Sequence, residues 1–448
     1  MNYTNMLQAV TKVLGADVRC DTRMAAATEL WSEMYRGRAP WNTREVLSAG
    51  IPAAVAAETA RLTTVELVSS CDGSELIDGL YQSRVLPELR RNVEYGMAGG
   101  TLIIKPIASP AGISSQFIRA GRFLPLGYDG SGNITKCAFI DQIRKQKTVF
   151  TLLEIHTLTR DGFRIENRAF RSESDSMLGS EIALTEVDAW ADLSPKHEFA
   201  GIEHLPFGIF RVPLANTIEE DSPLGVATYS RAAELIYEAD RRYSDLCWEY
   251  EAKQAAVHVA SSMLDFDRDT GKYRLPAGRE RLYRVVNVEK GLTDQPFIDV
   301  YSPEIRSSQY LEGFNAQLRL IEFACNLAYG TLSDPNNVDK TAEEIKASKQ
   351  RSYAYVRDCQ EALECALRQW GDAAVFWARL YGLDNAAGFD MEFEWGDSII
   401  SDPEAEREED RKDLANGTLR PEEYRAKYRD ETIEEALANL PQTASVME

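Results

Sequence analysis

The sequence predicts an α+β, mainly helical fold built from two to four structural units, and three observations carry that prediction. Apolar residues recur at helical spacing over long, capped stretches, most of them within residues 221–380. One region, residues 117–210, instead alternates around Asp-Gly turns in the manner of hairpins. The chain has 448 residues, 44% of them hydrophobic, which exceeds one typical domain and is ample for real cores.

Residues 1–100 read as helical. Residues 24–35 place Ala27, Leu30, Trp31, Met34 and Tyr35 at helical spacing, and Gly37 ends the run. A second helix starts at Gly50-Ile51-Pro52, with Ala53, Ala56, Ala57, Ala60 and Leu67 as a small-residue stripe expected to be buried. Residues 86–98 form a third, stopped by Gly99-Gly100, and residues 101–106 follow as a short buried strand. In the β-rich region, Asp129-Gly130 and Asp161-Gly162 turn between runs such as 148–157 and 163–170. Residues 172–200 are polar and acidic and are expected to include exposed loops.

Asp221-Ser222-Pro223-Leu224-Gly225 then opens a helix over residues 226–257, with Ala232, Leu235, Ala239, Leu246 and Tyr250 near one face. Such a helix would be on the order of 45 Å long, too long for most compact domains. Residues 259–300 read as short strands around Asp269-Thr270-Gly271, and a second helix follows over 303–328, with Phe314, Leu318, Ile321 and Cys325 on its stripe. A polar loop, Leu332-Ser333-Asp334-Pro335-Asn336-Asn337, leads to a third long helix. This opens with a capping box at Thr341 and Glu344 and carries Val356, Leu363, Leu367, Trp370, Ala374 and Trp377, with a kink expected at Gly371. Residues 384–448 carry 19 acidic and 7 basic residues, a balance of −12, and short exposed helices are expected at 404–415, 421–428 and 432–437.

Composition excludes several classes. A net charge of −21 argues against a conventional DNA binder, whose affinity comes from Lys and Arg, and against an anionic membrane surface. No run approaches the ~18 apolar residues of a membrane span, and residues 1–15 lack the apolar core of a signal peptide. The seven cysteines, at 20, 71, 137, 247, 325, 359 and 365, are odd in number and without a CxxC pair, as in a reducing cytoplasm.

No nucleotide-binding, zinc-protease or nucleophile-elbow motif occurs. His156, His197, His204 and His258 lack metal-ligand spacing and read as strand or loop residues. Two stretches imitate calcium loops. Asp265-x-Asp267-x-Asp269-x-Gly271 has its glycine one place late and Pro276 where the closing Glu belongs, and Asp129-x-Ser131-x-Asn133 ends at Ile140. Both read as hairpin tips. The basic cluster Arg268, Lys272, Arg274, Arg279, Arg281 and Arg284 stands out in an acidic chain. It is either a solvated strand face or a docking surface for an acidic partner or a nucleic-acid backbone.

Taken in order, a series of segments resembles the portal (head-to-tail connector) proteins of tailed double-stranded-DNA bacteriophages, of the siphovirus-like branch. They are Trp31-Ser32-Glu33-Met34-Tyr35-Arg36-Gly37, Ile51-Pro52 leading to Glu58-Thr59-Ala60-Arg61-Leu62, and Gly99-Gly100-Thr101-Leu102-Ile103-Ile104-Lys105-Pro106. Asp221-Ser222-Pro223-Leu224-Gly225, Lys340-Thr341-Ala342-Glu343-Glu344-Ile345 and Asp397-Ser398-Ile399-Ile400 complete the series.

The resemblance implies a ring, typically of twelve subunits, at one vertex of the capsid. It implies a wing over residues 1–225 (helical over 1–100, β-rich over 101–215), stem helices over 226–257 and 303–329, and a clip over 258–302 between them. A tunnel loop over 330–340, a long wing or spine helix over 341–383 and an acidic crown over 384–448 follow. Viral double-stranded DNA would pass through non-specifically, with Asn336, Asn337 and Lys340 at the channel. The clip's basic cluster would dock the terminase large subunit and later a head–tail adaptor. Major capsid and scaffolding proteins would be further partners, with assembly in the bacterial cytoplasm, residence in the virion and no membrane. No cofactor, metal or catalytic residue is implied. Other readings are a head-completion or minor capsid protein and, more remotely, a hydrolase on the β-rich region.

Overall fold

The structure, a computed structural model, describes residues 3–15, 19, 21–130, 132–202, 204–253, 256–260, 264–267, 272–273, 283–286, 298–301, 304, 306–334, 342–396, 403–429 and 431–440. The chain divides into two compact units, one of residues 1–64 and 70–392, the other of residues 65–69 and 393–448. Helix and strand mix as expected of an α+β chain, with helix predominating.

The larger unit begins with α1 (Tyr3–Leu14), α2 (Thr22–Tyr35) and α3 (Ile51–Thr64). Asp21 caps α2 by accepting from the Met24 N–H at 2.9 Å. The buried stripe of α3 is Ile51, Val55, Ala56, Thr59, Ala60 and Thr63, while Ala53 and Ala57 are only half-buried. Leu67 does not continue it, because the helix ends at Thr64 and Leu67 starts strand β1 (Leu67–Asp72). The buried threonines stay in the helix by donating to carbonyls one turn back, Thr59 to Val55 and Thr63 to Thr59, each at 2.8 Å. Then α4 (Glu75–Leu80) passes through a π-helical turn at Tyr81–Val85 into α5 (Leu86–Gly99). Gly100 closes α5 in the left-handed region at φ 82°, where a Cβ would also collide with the Gly225 carbonyl.

Nine strands build the β-rich part: β2 (Thr101–Ser109), β3 (Gly112–Arg119), β4 (Phe123–Tyr128), β5 (Ile134–Lys145), β6 (Thr148–Thr159), β7 (Gly162–Ser172), β8 (Ser180–Ile182), β9 (Lys196–Ala200) and β10 (Gly208–Arg211). β2 lies between β10 and β3, and a larger antiparallel sheet runs β4-β5-β6-β7, with β8 and β9 pairing successive parts of β7. Alternation along β6 sorts its two faces. Leu153 and Ile155 join Tyr3, Met6, Leu7 and Val10 of α1 in one core, while Leu152 packs with Ala169, Leu184, Val187 and Trp190 in another. Residues 172–200 are therefore not simply exposed loop, because Leu178, Leu184, Val187 and Trp190 are buried against the sheet.

Between the two sheets sits a charged triad. Lys105 Nζ lies 2.5 Å from Glu154 Oε1 and 4.6 Å above the Phe139 ring, and His156 Nε2 lies 2.6 Å from the same oxygen. Burial alone would raise the Glu154 carboxyl, but Lys105 and His156 outweigh it and hold it well below the usual carboxylate range. Burial keeps His156 below its ordinary value, with Glu154 offsetting only part of that.

The unit continues with α6 (Ala233–Ala252), β11 (Ala256–Ala260), β12 (Phe266–Asp267), β13 (Lys272–Tyr273), β14 (Tyr283–Val286), β15 (Ile298–Tyr301), α7 (Ser307–Ala324), α8 (Ala342–Leu380) and β16 (Asp390–Trp395), whose last residues belong to the second unit. The 39-residue α8 packs along β10 and β2, and all six residues of its expected stripe are buried. It runs unbroken through Gly371. That glycine is required by close packing, since a Cβ there would lie 2.7 Å from the Phe389 ring. Thr341, half of the expected capping box, lies outside the described residues.

The smaller unit carries α9 (Pro403–Asn416), α10 (Pro421–Arg429) and α11 (Ile433–Ala438), matching the three short helices expected in the acidic tail. Ion pairs rather than a core tie them. Arg425 bonds both oxygens of Glu431 at 2.6 and 3.0 Å, and Asp410 accepts from Lys427 and Tyr428 at 2.7 Å each. Thr432 and Glu435 cap α11 reciprocally.

Candidate functional site

The site centres on the pair α6 and α7. Their contacts run in opposite order along the two chains: Leu235 with Gln317, Arg242 with Gly313, Tyr243 with Phe314, Glu249 with Arg306. The helices are therefore antiparallel. Among the described elements, β11 is the next strand after α6 and β15 the last before α7, and the two pair antiparallel, as the helices do. β14 completes the sheet, parallel to β11.

The expected helix over 226–257 is shorter at both ends. Residues Val226 to Tyr229 are buried but not helical, because the backbone is committed elsewhere: Gly225 N–H donates to Thr101 Oγ1 at 3.0 Å and Thr228 N–H to the Met97 carbonyl at 2.9 Å. Val257 belongs to β11. The 20 residues of α6 span roughly 30 Å. Of the expected face Ala232, Ala239 and Leu246 are buried and Leu235 half-buried, while Tyr250 is exposed, and Ile236, Asp240 and Glu249 complete the packed side. α7 begins at Ser307 and ends at Ala324, where Asn326 turns left-handed at φ 57°. Ile321 and Cys325 of its expected stripe are buried, and Phe314 and Leu318 are half-buried.

Three carboxylates organise this pair. Asp240, 1% exposed, accepts from Trp41 Nε1 and Asn42 Nδ2 at 3.0 Å and from the Ala49 N–H at 2.8 Å, clasping the 39–50 segment to α6. Glu249 receives the Arg306 guanidinium on both oxygens at 3.2–3.3 Å, and this bond holds its carboxyl below the ordinary value. Glu322, fully buried, accepts from the Leu332 N–H at 2.6 Å, the Ser333 N–H at 2.8 Å and Ser333 Oγ at 2.9 Å. The chain leaving α7 is thus folded back along it, and Asp334 N–H donates to Asn315 Oδ1 at 2.8 Å. From α8, Ser348 Oγ accepts from the Tyr329 N–H at 2.9 Å, and Arg351 sits 4.6 Å over the Phe323 ring.

The sequence-derived site residues fall unevenly on this frame. Asn336, Asn337 and Lys340 lie outside the described residues, as do Arg268, Arg274, Arg279 and Arg281. Lys272 stands in β13 opposite Asp267, and Arg284 in β14 opposite His258. The pairing of Phe266 with Tyr273 and Asp267 with Lys272 is antiparallel, as a hairpin requires. The other calcium mimic is a closed turn, in which Asp129 accepts from both the Asn133 N–H and its side-chain amide. Among the described residues no cluster of His, Cys, Asp or Glu could hold a metal, and no helix is long and apolar enough to cross a membrane.

Sequence reasoning missed Asp240, Glu249, Glu322 and Asn315. Their signal was present: each is a polar residue placed on the apolar stripe of an amphipathic helix, where burial without partners would be costly.

The family model described as phage portal protein, SPP1 Gp6-like, matches residues 112–427, which includes both helices of the pair, the strands between them and α8. No curated protein matches the chain. An antiparallel helix pair running into a small sheet at one end and a pinned turn at the other is the arrangement that match covers. The chain belongs to the phage portal proteins of the SPP1 Gp6-like family.

Proposed function

We propose that this chain is one subunit of a ring-shaped channel at a capsid vertex, through which viral double-stranded DNA is packaged and later ejected. The family is structural rather than enzymatic and belongs to the virion capsid. The observation that carries the reading is the antiparallel pair α6 and α7 together with the antiparallel pairing of β11, the next described strand after α6, with β15, the last described strand before α7. A stiff antiparallel rod of this kind suits the wall of a channel, with the 258–302 strands as its clip and residues 330–340 as its tunnel loop.

Electrostatics support the same reading. A conduit should not grip phosphates, because counterion-release binding would brake movement. A chain of net charge −21, with 12 of those charges arising after residue 383, is suited to low adhesion. Twelve copies would each need two different complementary faces. Terminase, a head–tail adaptor, and capsid and scaffolding proteins are the proposed partners, with Arg268, Lys272, Arg274, Arg279, Arg281 and Arg284 as the docking surface.

Adding charge to the loop tests this. Asn336→Lys with Asn337→Lys should leave subunit assembly unchanged but slow DNA packaging, with added salt restoring the rate. A packaging rate equal to that of the unaltered protein at every salt concentration would contradict a loop that meets DNA.

A further inference from the structure

We propose that Glu322 is a positioning residue that sets where the chain beyond Asp334 leaves the helix pair. Its consequence for DNA rests on the portal reading; its geometry does not.

Glu322 is fully buried one residue beyond Ile321, at a place where an apolar side chain would complete the α7 stripe at no desolvation cost. The carboxylate instead collects three donors, all from two consecutive residues, Leu332 and Ser333. The second of these is itself oriented, since Ser333 Oγ donates to Glu322 Oε2 and accepts from the Gly330 N–H at 3.3 Å. Asn315 lies seven residues before Glu322, hence two turns back on the same face of α7. It takes the next donor in sequence, the Asp334 N–H. The returning chain is therefore held at successive points along one helical face, and its direction at Asp334 follows from that face.

The chain's other foot is fixed separately. Ser348 and Arg351 of α8 bond the Tyr329 N–H and the Leu327 carbonyl. Those bonds hold the turn to α8 but place no constraint on residues 332–334. The carboxylate and Asn315 instead take the backbone N–H groups of residues 332, 333 and 334 in turn. A glutamine retains a carbonyl oxygen for the two amides and an N–H that can donate to Ser333 Oγ. An alanine leaves all three donors without an acceptor.

Amide hydrogen exchange on the full-length protein reads this directly. Glu322→Ala should raise exchange at residues 330–334 by about tenfold or more, with the rest of α7 and α8 unchanged. Glu322→Gln should stay within about threefold of the unaltered chain. In packaging, Glu322→Ala should enter capsids normally yet retain less DNA, and Glu322→Gln should restore retention. Unchanged exchange in Glu322→Ala, or exchange raised equally throughout α7 and α8, would overturn the proposal. Normal DNA retention in Glu322→Ala beside raised exchange would overturn the consequence for DNA alone. Should that variant not fold, Ser333→Ala removes one of the three donors to Glu322 along with the acceptor of the Gly330 N–H, so it is read at residues 332–334. It should raise exchange there by about threefold, and no rise would again overturn the assignment. If the unaltered protein forms no ring, the portal reading fails instead, and the exchange result is judged alone.

Discussion

The large antiparallel sheet and the α6–α7 pair solve the same problem in opposite ways. The sheet covers both faces with its own chain: α1 seals one, the 184–190 segment the other, and its charged triad is paired between the sheets. The helix pair has one packed face and leaves Trp248, Tyr250, Leu311, Leu320 and Phe323 in solvent, between 47% and 65% exposed. Its fixed points are polar, at Asp240, Glu249 and Glu322. A self-sufficient sheet gives a stable body. A half-covered helix pair needs a second surface, which in a ring is the neighbouring subunit.

The sharpest way to break that contrast is to open the sheet's interior. Lys105→Ala leaves the largely buried Glu154 carboxylate without its cation and should destabilise the larger unit by on the order of 3 kcal/mol, seen as a lower thermal midpoint. The effect has a pH signature. His156 and Glu154 are both held below their ordinary values, so the folded state binds fewer protons than the unfolded chain and stability falls on acidification. The His156 part should be lost as pH drops below about 6.5, and the Glu154 part below about 4.3. Denaturant midpoints measured from pH 7 to pH 4 should decline, and His156→Gln should flatten the first part of that decline.

Next in size is the clasp on α6. Asp240→Ala strands three donors and should cost about 2 kcal/mol. Trp41 should report it, with emission shifting to the red as its indole N–H turns to water. A thermal midpoint and emission equal to those of the unaltered chain would show that the clasp does not matter.

The smallest effect on the isolated chain should come from the exposed apolar side chains. Trp248→Ser with Leu320→Ser should change subunit stability by less than about 0.5 kcal/mol. The same variant should lose higher assemblies at equal concentration. Assembly retained at wild-type strength would remove this face from the subunit contact.

Much of the fold was legible because the signals were local. Gly37 after α2, Gly99-Gly100 after α5, Asp161-Gly162 between β6 and β7, and the stripe of α8 all act within a few residues. What escaped was set by partners far along the chain. Val226, Ala227 and Tyr229 carry side chains that suit a helix stripe, yet Met97 and Thr101 claim the backbone N–H groups of Thr228 and Gly225. Gly371 reads as a weak point until Phe389 is seen against it. Glu322 and Asp240 look like interruptions of an apolar stripe, because their donors lie 10 and almost 200 residues away. The basic cluster and loop tip named from sequence fall mainly outside the described residues, so their roles stand as proposals.

The central claim is that this chain completes itself only as a ring. Negative-stain imaging of the purified full-length protein, with mass photometry on the same sample, tests it most directly. The account predicts closed rings of about twelve copies around an open centre, following from heterologous contacts that close. Particles that remain monomers or dimers at every salt and protein concentration would contradict it.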